Sequence, residues 1–205
     1  MLAIVDYGVG NLGSIENMLK KIGCTSQITS DPEAIIAASK IILPGIGSFD
    51  HGMRSLRAMD FEGILRYKAL EEKTPVLGIC LGMQMLGLSS EEGSEPGLGW
   101  IDAACQRFGK EPWDARLKVP HMGWNSVKSQ GGNPLLEGFD ETPRFYFVHT
   151  YHLVCNDPSL VAGTTRYSTP FTSMVRQDNF YGAQFHPEKS HRFGLTLLRN
   201  FIERC

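Results

Sequence analysis

Pro75-Val76-Leu77-Gly78-Ile79-Cys80-Leu81-Gly82-Met83-Gln84 is the stretch that decides the fold. Pro75 to Ile79 is apolar throughout, with no alternation of polar and apolar residues. That is the pattern of a strand covered on both faces, as in a parallel sheet. Gly78 and Gly82 then bracket a sharp turn, and Met83 to Leu88 reads as a helix. Strand, tight turn and helix make a nucleophile elbow, here with cysteine in the place of serine. Such a turn lifts the Cys80 sulfur out of the sheet at a helix N-terminus, where backbone N–H groups favour the reactive thiolate. It also leaves the Leu81 N–H free to face a developing oxyanion. A buried structural cysteine in a glycine-rich turn would read the same way from these residues alone.

Outward from this stretch, the first half alternates strand and helix. Leu2 to Val5 is a short apolar run closed by Gly8 and Gly10; Ile15, Met18, Leu19 and Ile22 recur at helical spacing until Gly23. Ser26 to Thr29 reads as a second strand, Asp31-Pro32 as the start of a helix through Ala38, and Lys40 to Leu43 as a third strand broken by Pro44-Gly45. Helical periodicity returns from Phe61 to Leu70. Alternation of this kind implies right-handed crossovers and an open sheet. The second half changes character. Trp100–Phe108, Phe145–Tyr151, Leu160–Arg166 and Thr172–Arg176 read as antiparallel strands, and Asp178-Asn179 as a hairpin turn into Phe180–Phe185. Phe193, Leu197, Leu198 and Phe201 form the stripe of a final helix, and Ser89–Gly99 reads as a solvent loop. The expected fold is α/β: an open, mostly parallel sheet flanked by helices, with antiparallel additions, in one domain spanning residues 1–205. Open α/β sheets place their sites at the carboxyl ends of the strands.

Composition excludes several functions. Twenty basic and twenty-two acidic residues give a net charge of −2, which suits neither a general nucleic-acid binder nor a membrane-surface protein. The N-terminus has no basic start, and Asp6 cuts its apolar run too short for a signal peptide. No stretch is apolar enough to span a bilayer. Five scattered cysteines without a CxxC pair argue against a disulfide framework or a zinc site, and for a reducing, cytoplasmic compartment.

A thiolate that attacks an amide needs a proton donor for the leaving amine and a group to orient that donor. Of six histidines, His186 in Phe185-His186-Pro187-Glu188 directly follows a strand, and Glu188 stands two residues on. Cys80, His186 and Glu188 are therefore the candidate catalytic triad. His149-x-x-His152, at odd spacing on one strand, would put its rings on opposite faces, so no metal is expected. Gly8-Val9-Gly10-Asn11-Leu12-Gly13 is literally a G-x-G-x-x-G after a strand, with Asp31 at the spacing of a ribose-binding acid. An NAD-binding oxidoreductase is thus a rival reading, but it leaves Cys80 and the His-Pro-Glu run unexplained, and no cofactor is expected. A scaffold with a dead elbow is disfavoured because all three triad residues are present.

The elbow through Met83-Gln84 and the Phe185–Glu188 run resemble the two signatures of class I glutamine amidotransferases. Asp6-Tyr7-Gly8-Val9-Gly10-Asn11, Pro44-Gly45-Ile46-Gly47, Pro120-His121-Met122-Gly123-Trp124-Asn125, Tyr146-Phe147-Val148-His149-Thr150-Tyr151 and Lys189-Ser190 extend the resemblance to glutaminase subunits of imidazole glycerol phosphate synthase. The resemblance implies a γ-glutamyl thioester on Cys80, with His186 as acid then base, oriented by Glu188. It implies oxyanion and substrate contacts at Gly45, Ile46, Gly47, Leu81, Gln84, Thr150 and Tyr151. The Ile46 N–H would turn inward only when a (β/α)₈ cyclase/synthase partner docks to receive the ammonia for histidine biosynthesis. Asn11, Trp124, Tyr146 and Lys189 are the expected partner face and ammonia gate. Gly97–Asp102 and Glu188–Gly194 also resemble paralogues that feed ammonia to surface-polysaccharide sugar amidation enzymes, which differ only in the acceptor.

Overall fold

The computed structural model describes residues 1–110 and 113–205. The first half supplies β1 (Leu2–Val5), β2 (Ser26–Thr29), β3 (Lys40–Leu43) and β4 (Val76–Ile79). The second supplies β5 (Ser89–Ser90), β6 (Ala103–Arg107), β7 (His121–Ser126), β8 (Lys128–Ser129), β9 (Arg144–His149), β10 (Tyr151–Cys155), β11 (Val161–Tyr167), β12 (Thr169–Gln177) and β13 (Phe180–Ala183). The main sheet runs β2-β1-β3-β4-β13-β12-β11-β8. Pairings from β2 to β13 are parallel and those from β13 to β8 antiparallel. This is the open, mostly parallel sheet with antiparallel additions that the sequence implies. β10-β6-β5 and β7-β9 form two smaller sheets.

The sheet is apolar on both faces because both are covered. Ala3 and Val5 of β1 join one core and Leu2 and Ile4 the other, as the two-residue period of a strand requires. On the first face lie α2 (Pro32–Ile36), α3 (Phe49–Ala58) and α4 (Phe61–Arg66), through Ile35, Met53, Leu56 and Phe61. On the second lie α1 (Leu12–Lys21) and α6 (His191–Arg204), through Ile15, Leu19, Leu197 and Phe201. Asp31 caps α2, its carboxylate accepting the Glu33 N–H at 3.0 Å, so it serves as a helix start.

Several expectations need correction. Helix α3 carries no clear signal because glycine stands on its buried face. A Cβ on Gly52 would lie 2.9 Å from Leu81 Cδ2, so the glycine lets α3 press against the elbow. The helix after Cys80, α5, spans Leu81–Met85 rather than Met83 to Leu88. Ser89–Gly99 is no free solvent loop. Ser90 and Leu98 are buried, Asp50 accepts the Ser94 and Glu95 N–H groups at 3.0 Å, and Arg57 holds Glu95 and the Pro96 carbonyl. The helix from Phe61 widens into a π-helical turn at Tyr67–Glu71. The strand expected over Phe145–Tyr151 breaks at Thr150 into β9 and β10. His149 and His152 therefore do not alternate; both rings pack on Phe108, at 5.1 and 4.6 Å between centroids.

Candidate active site

Cys80 closes β4 at the carboxyl edge of the parallel strands, with φ 53° and ψ −108°. A positive φ is costly for a side-chain-bearing residue and survives only where the surroundings enforce it. They do so here. The Cys80 N–H donates to the Ala183 carbonyl at 2.7 Å. A Cβ on Gly78 would lie 2.7 Å from the Gly82 carbonyl oxygen, and one on Gly82 would lie 1.9 Å from the Leu43 carbonyl oxygen. Neither position has room for a side chain, so the two glycines of the elbow are steric requirements. Leu81 opens α5, where a first-turn N–H has no partner within the helix.

His186 follows β13. Its N–H donates to the Tyr146 carbonyl at 2.9 Å. Its Nδ1 is 2.8 Å from Glu188 Oε1, and the two side chains are only 2% and 1% exposed. The other ring nitrogen, Nε2, is buried, and among the described residues it has no formed hydrogen bond. Burial works against a charged ring, but the pull of Cys80 and of Glu188 outweighs it and raises the His186 pKa. Ser190, which the sequence does not single out for the site, fastens this turn. Its hydroxyl donates to the His186 carbonyl at 2.6 Å and accepts the Tyr146 N–H at 3.0 Å.

Pro44 to Gly47 runs past the elbow from β3. Gly45 is pressed into it, since a Cβ there would lie 2.7 Å from Leu81 Cβ. The Tyr7 hydroxyl donates to the Pro44 carbonyl. Tyr7 is buried, and burial, then the charge of Cys80, holds its pKa well above the usual phenol range. Beyond that tether the chain is loose. Ile46 is 45% exposed, Gly47 has φ +93°, and among the described residues no hydrogen bond holds the Gly45–Ile46 peptide. Gly10, beside Asn11, sits against Pro44, a Cβ there lying 3.2 Å from Pro44 Cβ.

A cavity of about 390 Å³ collects most of these groups: Ile46, Gly47, Cys80, Leu81, Gln84, Thr150, Tyr151, His186 and Lys189 all line it. Glu188 stands behind His186. Gly45 does not line the cavity, and neither do Asn11, Trp124 or Tyr146. The last two form a rim beside it: the Tyr146 ring is 5.8 Å from Lys189 Nζ and 6.4 Å from Trp124, which stacks on His191. Trp124 is 40% exposed and Met122 61%. Four further residues line the cavity: Pro120, from a stretch that carries the family resemblance, and Glu92, Val148 and His149, to which the sequence assigned no role in the site. Glu92 sat unnoticed in a stretch read as solvent loop, yet it offers the cavity a carboxylate. Gln184 was also missed. It accepts from Gln84 Nε2 at 3.0 Å and places its own Nε2 3.7 Å from Cys80 Sγ.

An open α/β sheet that presents a cysteine on an elbow, beside a buried histidine–glutamate pair, has the form of a cysteine-dependent amide hydrolase. The glutamine amidotransferase class-I family model matches residues 3–205, and the chain belongs to that family. It is 52% identical over 205 residues to imidazole glycerol phosphate synthase subunit HisH 2 of Methanococcus maripaludis, with all of both chains covered. It is 50% identical over 203 residues to the protein of the same name from Pseudomonas aeruginosa, with 99% of each covered. Among solved structures, a glutamine amidotransferase from Thermotoga maritima shares the fold with a TM-score of 0.70 at 18% identity, covering 99% of this chain and 96% of that one.

Proposed function

We propose that this chain is the glutaminase subunit of imidazole glycerol phosphate synthase, acting in the cytoplasm in histidine biosynthesis, with residues 1–205 as one catalytic domain. One observation carries the reading: Cys80 and the His186–Glu188 pair meet at one cavity in a chain whose whole length matches such subunits. The names of those relatives favour this reading over the sugar-amidation alternative.

The geometry suggests the steps. Glutamine enters with its side-chain amide over Cys80, and the Glu92 carboxylate is available to its α-ammonium group. The Cys80 sulfur attacks the amide carbon, and the carbonyl electrons move to an oxyanion that the Leu81 N–H faces. His186 Nε2 delivers a proton to the leaving nitrogen, ammonia departs and a thioester remains. Water then attacks the thioester and gives a proton back to His186, and glutamate leaves as Cys80 is regenerated. Glu188 holds Nδ1–H throughout and favours the imidazolium.

The loose Gly45–Ile46 peptide is the second oxyanion donor, turned inward when the partner docks. The partner is a (β/α)₈ cyclase/synthase seated on the rim of Ile46, Met122, Trp124, Tyr146 and Lys189, with Asn11 at its edge. It receives the ammonia before water can protonate it.

Cys80→Ala in the two-subunit complex is expected to abolish glutamine-dependent synthesis and to leave synthesis from added ammonia intact. Continued use of glutamine by the variant overturns the assignment. Full glutaminase turnover by the isolated subunit overturns the gating step alone.

A further inference from the structure

Along one wall of the cavity, lined by Gln84, His149 and Tyr151, a chain of hydrogen bonds joins β7, β9 and β10, and its neighbours place every proton in it. A backbone carbonyl only accepts, so His149, whose Nδ1 is 2.8 Å from the Tyr151 oxygen, carries its proton on Nδ1. Burial drives the His149 pKa well below its usual value, which keeps the ring neutral and Nε2 an acceptor. His121 Nδ1 lies 2.9 Å from that Nε2 and must donate to it. Burial lowers His121 as well, to about 4, so its own Nε2 accepts from Asn125 Nδ2 at 3.2 Å. The Asn125 amide is oriented independently: Nδ2 also donates to the Arg166 carbonyl at 3.0 Å, and Oδ1 accepts the Ser126 N–H at 2.8 Å. At the other end the Tyr151 carbonyl accepts a second bond, from Gln84 Nε2 at 3.0 Å.

Packing fixes the rings in place. His121 is stacked between Phe147 and Tyr167, at 4.7 and 4.1 Å between centroids. Two neutral imidazoles buried in an aromatic cluster are an expensive filling for a core, since an apolar pair of the same shape needs no hydrogen bonds. They do what an apolar pair cannot, which is to set a carbonyl and an amide at fixed positions. On β7 the arrangement faces two ways: His121 points inward, while Met122 and Trp124 stand exposed on the outer side.

We propose that His121 and His149 are positioning residues for glutamine hydrolysis, fixing Gln84 through the Tyr151 carbonyl from β7, the strand whose outer face meets the partner. The proposal rests on the glutaminase reading above. Through Gln84 the same chain reaches Gln184 and Cys80, so a shift of β7 on docking has a connected route to the nucleophile.

The test uses the two-subunit complex and four proteins: wild type, Cys80→Ala, His121→Phe and His121→Asn. Phenylalanine keeps the aromatic stack but donates nothing; asparagine keeps a donor where Nδ1 stood. His121→Phe is expected to raise the KM for glutamine about tenfold, the worth of one well-placed hydrogen bond, with ammonia-dependent synthesis unchanged. His121→Asn should stay within about threefold of wild type. An unchanged KM in His121→Phe overturns the proposal, as does equal impairment of both variants. A second measurement needs no variant: nitrogen-15 spectra of histidine-labelled wild type must show both rings as the Nδ1–H tautomer, and an Nε2–H signal from either one breaks the chain. If wild type itself cannot use glutamine, or Cys80→Ala still can, the glutaminase reading has failed and the tautomer spectra still decide the hydrogen-bond chain.

Discussion

Two turns meet at the Cys80 sulfur, and they are built in opposite ways. The elbow has no slack: Gly78 and Gly82 touch backbone where side chains would begin, Gly52 of α3 presses on Leu81, and the Cys80 N–H is bonded across to β13. The segment from Pro44 to Gly47 is held at its start by Tyr7 and packs on Leu81 at Gly45, but among the described residues no hydrogen bond holds the Gly45–Ile46 peptide, and Ile46 is out in solvent. A nucleophile held in a strained conformation has to be enforced by rigid neighbours. A donor that changes direction on docking, as proposed for the Ile46 N–H, needs instead a peptide that no hydrogen bond fixes. The contrast supports the proposed mechanism, in which the fixed part of the chemistry belongs to the sheet and the adjustable part to a four-residue stretch beside it.

The sharpest way to break the rigid side is Gly82→Ala. The new methyl would stand 1.9 Å from the Leu43 oxygen, and both neighbours are backbone, so either β3 or α5 must move. Overpacking of this kind costs about 3 kcal/mol or more. Urea unfolding should show that loss, while Gly13→Ala, which opens into free space on α1, should be neutral or stabilising by up to ~1 kcal/mol. Equal stability of the two variants would mean the elbow has slack after all.

Glu188→Gln tests the catalytic half of the same rigid frame with less disturbance. The carboxamide can still accept the His186 Nδ1–H, but the charge that favours the imidazolium is gone. Hydrogen bonds to charged groups contribute about 1.5–3 kcal/mol, which corresponds to roughly a ten- to hundredfold fall in kcat with glutamine. Steady-state kinetics with glutamine and with ammonia as nitrogen donor separate the two halves of the reaction. A change of less than twofold would show that Glu188 only packs.

What the sequence reveals follows the same division. The parallel strands were legible because burial on both faces leaves uninterrupted apolar runs, as in Pro75 to Ile79. Cys80 and His186 stood out because each follows a strand among turn residues, and Glu188 because it stands two residues after His186. The resemblance to a family pointed to Pro44–Gly47 and the rim. The positioning shell was hidden. Gln184 sits one residue beyond β13 and looks like any strand neighbour; Tyr7 and Ser190 fall in stretches that carry the family resemblance, but nothing local assigns them a contact. Apart from the Ser190 bond to His186, their roles arise from partners 37 to 104 residues away, and no local pattern records such pairings. His149 and His152 show the opposite failure. Local spacing on one assumed strand put the rings on opposite faces, and the break at Thr150 brings both onto Phe108.

The smallest expected effect is the most informative about the adjustable turn. Tyr7→Phe removes one hydroxyl and leaves the buried ring in place, so the tether on the Pro44 carbonyl is lost together with a weaker contact to Met85 Sδ at 3.6 Å. Stability should fall by about 1 kcal/mol, the usual net worth of one hydrogen bond. If the tether served stability alone, the catalytic constants would not move. If it is the fixed post about which the Gly45–Ile46 peptide turns, its loss lets the inward-facing position blur, and that position matters only when charge builds on the oxyanion. An interaction made only in the transition state shows itself in kcat rather than KM. The expected result is therefore a kcat with glutamine reduced by about three- to tenfold in the complex, with KM little changed and a smaller ratio of partner-stimulated to basal turnover. A variant that loses stability and keeps its kcat would assign the hinge to Gly47 and Ile46 alone, and would leave Tyr7 as part of the core.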